Sequence, residues 1–186
     1  MRQMNTIESD VPLASMLDRR MVDAAYFRDA YRVPLRHARA SVVDIFFAIL
    51  GHHPMWMKWV LIVRNRIATM CGIDAPTAAE IMHPNVKSRY AVSDKIGPWP
   101  IFFLSETELV AGRDNKHLDF RFSVLKESIG DSGNDANHDG ESTSAVISTV
   151  CTTHNLFGKI YLFFIIPFHK WGVQRLIANA IVSERL

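Results

Sequence analysis

Several features are scarce in this 186-residue chain, and each scarcity excludes something. Its two cysteines, Cys71 and Cys151, lie far apart and neither has a CxxC partner. A disulfide framework and a zinc knuckle are therefore excluded, and free thiols filling core space are expected. Charge of one sign is also scarce, since 21 Lys and Arg stand against 19 Asp and Glu. The arginines from Arg19 to Arg39 are interspersed with Asp18, Asp23 and Asp29, and no binding motif accompanies them, so no nucleic-acid partner is expected. The longest apolar run, residues 160–168, is nine residues. That is about half of the ~20 needed to cross a bilayer, so no membrane span is expected. The opening MRQMNTIESD has no apolar stretch of the secretory kind, and a cytoplasmic location is the matching expectation. No G-x-S-x-G, H-E-x-x-H, P-loop or dinucleotide fingerprint occurs, which removes the enzyme classes with those signatures and any expectation of a cofactor.

What the chain does have is strong patterning. In residues 116–124, KHLDFRFSV, the apolar Leu118, Phe120, Phe122 and Val124 alternate with His117, Asp119, Arg121 and Ser123. Strand side chains alternate between faces, so this segment predicts a strand with one apolar and one charged face. Residues 101–111 predict its hairpin partner. A two-residue turn at Asp114-Asn115 would set Glu108 opposite Arg121, Val110 opposite Asp119, Glu106 opposite Ser123 and Leu109 opposite Phe120.

The remaining elements follow from caps and periodicity. Residues 1–24 read as an arm with a short helix over 13–25, and 25–186 as a single domain with a flexible loop at 128–142. A first strand is expected over 26–35, with Phe27, Tyr31 and Val33 on one side. Ser41 with Asp44 forms a variant capping box ahead of a helix that Gly51 stops. Pro54 starts a second helix, ended by Gly72, whose buried stripe is expected to be Trp56, Val60, Val63, Ile67 and Met70. Residues 73–100 predict an excursion with a short strand near 88–92, and 143–153 another strand. Residues 156–186 predict one long helix kinked at Pro167, with Ile160, Phe164, Phe168 and Trp171 on its packed face. A strand over 159–166 followed by a shorter helix is the alternative. Helices gathered on one face of an antiparallel sheet make an α+β fold.

The segments YFRDAYRVPL (26–35), LIVRNRIATMCGI (61–73), HLDFRFSV (117–124) and THNLFGKIY with PFHK (153–170) resemble a bacterial family of unknown function. That family is grouped with the START-like, or polyketide-cyclase-like, helix-grip proteins, and is similar to the C-terminal domain of some short-chain-dehydrogenase-like proteins. The resemblance implies a curved antiparallel sheet wrapped around the long C-terminal helix, with two short helices after the first strand. It also implies a ligand cavity under that helix. It assigns no catalytic residue.

The candidate site residues fall into two sets. Glu106, Glu108, His117, Asp119 and Arg121 form a charged stripe able to hold a polar ligand or form a proton relay, with a solvated sheet face or a homodimer surface as the plainer assignment. Leu118, Phe120, Phe122, Phe164, Phe168 and Trp171 would line an apolar cavity. His154 and His169 are acid–base candidates at its mouth, with a strand end and a helix surface as the plainer assignments. His117 and Asp119 lack a third ligand, so no metal is expected. Asp135, Asn137, Asp139 and Gly140 start like a calcium loop, but its twelfth position is Val146 and not glutamate. The Met55–Trp59 cluster fits a core contact or a lipid- or partner-facing patch. Three functions fit these residues: binding of a small apolar molecule, a cyclase, dehydratase or isomerase in the same cavity, or a non-enzymatic interaction module.

Overall fold

The computed structural model describes residues 7–52, 54–70, 72, 75–82, 86–129 and 142–186. The expected loop lies almost wholly, and the calcium-like run entirely, outside them, as does Cys71. Among the described residues seven strands form one sheet: β1 (Ile7–Ser9), β2 (Phe27–Pro34), β3 (Lys95–Ile96), β4 (Trp99–Leu104), β5 (Glu108–Asp114), β6 (Leu118–Ile129) and β7 (Ser142–Thr153). Their order is β1-β2-β7-β6-β5-β4-β3, and every neighbouring pair is antiparallel. The sheet is open, with β1 and β3 at its edges. The helices are α1 (Arg19–Asp23), α2 (Val42–Leu50), α3 (Met55–Met70), α4 (Ala78–Met82) and α5 (Leu156–Val182). The α+β class expected from the sequence is thus found.

Alternation in the strands creates two packed faces. On one, Tyr31, Val33, Leu109, Phe122, Val124 and Ile147 meet Ile45, Phe46 and Ile49 of α2 and Val173, Leu176 and Ile177 of α5. On the other, Ala30, Val110, Val146 and Val150 are covered by Val11, Leu17 and Val22 of the N-terminal arm. Each large apolar side chain so buried contributes ~1.5–3 kcal/mol. Ser41 caps α2 as its sequence predicts: its hydroxyl accepts the Asp44 N–H and the Asp44 carboxylate accepts the Ser41 N–H.

Several expectations are corrected. The β5–β6 register sets Glu108 opposite Leu125, Leu109 opposite Val124 and Val110 opposite Ser123, and Glu106 falls outside β5. The cause is Asn115, whose side-chain oxygen accepts the N–H groups of His117 and Leu118 at 2.9 and 3.1 Å and moves the turn to Lys116-His117. The displacement is an even number of residues, so each side chain keeps its face. The short strand is at Lys95–Ile96 instead of 88–92, α1 is shorter than expected, and β1 precedes the strand taken as first.

The helix faces differ too. Trp56, Val60, Val63, Ile67 and Met70 point outward, and Met57, Asn65 and Ala68 are the buried positions of α3. Residues 159–166 are helical, and α5 continues past Pro167. Its buried side is Gly158, Leu162, Val173, Leu176, Ile177 and Ala180, not the side bearing Ile160, Phe164, Phe168 and Trp171. Among the described residues no single helix is long and apolar enough to cross a membrane.

The start of α5 is fixed against the β5–β6 turn. The Asn155 side chain caps the helix by accepting the Gly158 N–H, and donates to the Lys116 carbonyl. A Cβ on Gly158 would sit 2.2 Å from the His117 carbonyl oxygen, so only glycine permits this approach. Gly158→Ala should lower stability by ~1–3 kcal/mol, measured by urea unfolding, because the hairpin tip and the helix must separate.

Candidate functional site

The charged stripe does not form one cluster. Glu108, 1% exposed, accepts hydrogen bonds from Ser15 Oγ and Ser123 Oγ, both at 2.6 Å, and from the Met16 N–H at 2.7 Å. Three donors satisfy this buried carboxylate, and two of them belong to the N-terminal arm, so its role is to fasten the arm to the sheet. Arg121 pairs with Asp114 and lies over the Phe102 ring, 3.6 Å from its centroid. Asp119 faces His154, with His154 Nε2 at 3.0 Å, because β6 and β7 end side by side there. His117 Nδ1 is 3.2 Å from Asn155 Oδ1, and its ring lies 4.8 Å from that of Phe157.

The expected cavity lining is also divided. Phe122 packs edge-on against Phe46 and stacks with Trp99, which also meets Phe120, so Phe122 is in the core and the half-buried Phe120 packs against it. Phe164, Phe168 and Trp171 are 63, 69 and 54% exposed and face away from the sheet.

A different set of polar groups converges on the helix-covered face. Asp29 and Tyr31 of β2 point toward α5, and Asp29 pairs across the sheet with Thr149. Above them, His169 of α5 places Nε2 3.5 Å from Asp29 Oδ2, its ring edge-on to Phe27 at 5.4 Å. The Asp29 side chain is 1% exposed. No hydrogen bond from the described residues reaches either Asp29 oxygen, the Tyr31 hydroxyl, Thr149 Oγ1 or His169 Nε2. Burial, reinforced by the Asp29 charge, pushes the Tyr31 hydroxyl up to about 12, while nearby Gln174 acts in the opposite direction. Burial also pushes the Cys151 thiol up to about 12, with Asp29 again adding to the effect. Lys170 lies over the Phe27 ring and reaches Glu8 at 3.4 Å. Glu8, Ser9, Asp10, Val11, Arg28 and Asp29 wall a surface cleft of about 340 Å3 where β1 leaves β2.

Sequence reasoning singled out His169 but missed Asp29, Tyr31 and Thr149. The signal was in FRDAYRV: Asp29 has the parity of Phe27, Tyr31 and Val33, so a carboxylate occupies an apolar face. What this arrangement offers chemically is a dry acceptor pair beside an imidazole and a phenol. Among the described residues no group of three or more His, Cys, Asp or Glu side chains is placed to hold a metal ion.

A family model described as "Protein of unknown function (DUF2867)" matches residues 21–176. No curated protein and no solved structure matches the chain.

Two outcomes follow from the two buried sites. Glu108→Ala strands Ser15, Ser123 and the Met16 N–H, and should cost ~3 kcal/mol or more and expose the arm to limited proteolysis. The Tyr31 hydroxyl is harder to ionise in the folded state than in the unfolded chain. Its stabilising contribution is therefore complete below the ordinary tyrosine range near pH 10, and is lost as pH rises to about 12. Tyr31→Phe should flatten that alkaline loss in thermal melts recorded against pH.

Proposed function

Starting from the fact that the chain belongs to the family of proteins of unknown function DUF2867, we propose that it binds a small, largely apolar molecule through the Asp29–Tyr31–His169 group beneath α5. The observation that carries this reading is the Asp29 carboxylate, buried without a hydrogen-bond donor from the described residues. A buried carboxylate whose nearest facing cation is an imidazole at 3.5 Å, without an ordinary hydrogen bond, is held at a free-energy cost that a ligand bearing a hydroxyl or amine would offset. Mostly apolar pockets with a few placed polar groups are how small ligands are oriented. The surroundings supply such walls in Phe27, Tyr31 and the buried side of α5. The helix-grip, START-like architecture goes with this reading, and the packing of the second half of α5 across β2 and β7 supports it.

A second reading has one observation in its favour, the Asp29–His169 pair. A carboxylate beside an imidazole orients the ring, which suits proton transfer in a cyclase, dehydratase or isomerase. The charged stripe as a partner surface has less support, because Glu108 and Ser123 are already engaged beneath the arm.

Native mass spectrometry of protein purified from its own host tests the first reading. A co-purifying small molecule at near-stoichiometric amount is expected, and Asp29→Asn should weaken its retention on the order of tenfold or more. The same substitution should raise the melting temperature of the ligand-free protein, because a site kept for binding is held at a cost to stability. A bare chain mass that gains nothing from a panel of hydroxylated lipids and polyketides, with Asp29→Asn lowering the melting temperature, would mean the carboxylate is structural. Turnover of a recovered ligand that His169→Ala abolishes without loss of binding selects the second reading.

A further inference from the structure

The outward faces of α3 and α5 form one surface that nothing above uses. On α3, Trp59, Val63 and Ile67 recur at helical spacing and are all exposed. On α5, Phe164, Phe168 and Trp171 do the same. The two stripes meet where the Trp56 and Trp171 rings lie 5.5 Å apart, and Arg64 stacks over the Tyr161 ring at 5.3 Å. An exposed apolar surface of two adjoining helices marks an interaction site.

Charge identifies the occupant. Of the chain's 21 Lys and Arg, six lie on these helices: Lys58, Arg64, Arg66, Lys159, Lys170 and Arg175. Of its 19 Asp and Glu, none does, so the rest of the molecule is net acidic. Lys170 among them is turned to Glu8 and the Phe27 ring; a second copy seated by two-fold symmetry would set the other basic side chains of the two helices against each other without one acidic partner on either helix. An anionic bilayer complements both properties, since apolar and tryptophan side chains enter the headgroup boundary while Lys and Arg pair with lipid phosphates.

A bent α2–α3 pair has the length and composition of a broken span, with 91° between its helices. But Ile45, Phe46 and Ile49 of α2 are held in the core and cannot enter a membrane with α3. We propose that the α3–α5 face docks the protein on the surface of an anionic phospholipid bilayer without crossing it. This rests on the helix surfaces alone and is independent of the Asp29 group.

The test is flotation of the full chain with phosphatidylcholine vesicles and with vesicles carrying roughly one third phosphatidylglycerol. Binding to the anionic vesicles alone is expected, weakening as salt rises, with a blue shift of tryptophan emission. Arg66→Gln should weaken it about fivefold, the effect of one basic charge at such a surface. Val63→Glu with Phe164→Glu should abolish it while circular dichroism stays unchanged, since both side chains are exposed. Absence of binding to both vesicles, or equal binding to both, overturns the proposal. So does a dimer in sedimentation analysis that Val63→Glu dissociates, which assigns the face to a second copy.

Discussion

β7 is covered from both sides, and most of the molecule is arranged to keep it so. Residues 143–151 are buried without a break, a pattern more usual in strands sandwiched between layers than at a half-exposed antiparallel sheet. On one side Ile147 lies in the core formed with α2 and the second half of α5. On the other, Val146 and Val150 need the arm, and the arm needs an anchor. Glu108 supplies it by accepting from Ser15, Ser123 and the Met16 backbone. The arm is therefore part of the core, and a charged residue on the middle of the sheet is what holds it there.

Two buried carboxylates on opposite faces make an instructive pair. Glu108 has three donors at short distance, and Asp29 faces one histidine beyond ordinary hydrogen-bond length. Both are acidic residues in sheet strands with nearly no exposure. What separates them is the donor supply: a complete set marks an architectural role, and an incomplete one makes Asp29 the center of the proposed site.

Much of this was legible in the sequence, and the failures share a cause. Alternation in β6, the cap at Ser41 and the extent of α3 and α5 are local properties, and all were readable. The hairpin register was misplaced because the turn was assigned from residue type, while the Asn115 side chain sets the turn two residues further along. Faces survived because the error was even. On α3 and α5, periodicity showed which residues share a side, and that side proved to face outward. Spacing says that residues lie together and is silent about what covers them. The Asp29 group was missed for the opposite reason: its residues come from β2, β7 and α5, and only the sheet order brings them together.

That order also bears on how the chain comes to be folded. β2 has β7 as its inner neighbour, so Phe27 waits for Cys151 and Val33 for Ala145. A growing chain can form the β4–β5–β6 meander early, from close contacts. β2 has no partner on its inner edge until β7 has been made. Closure of such distant pairs is slow, because the intervening chain loses its freedom before the contacts repay it. The strand bearing Asp29 and Tyr31 is thus one whose inner pairing spans more than a hundred residues of intervening chain.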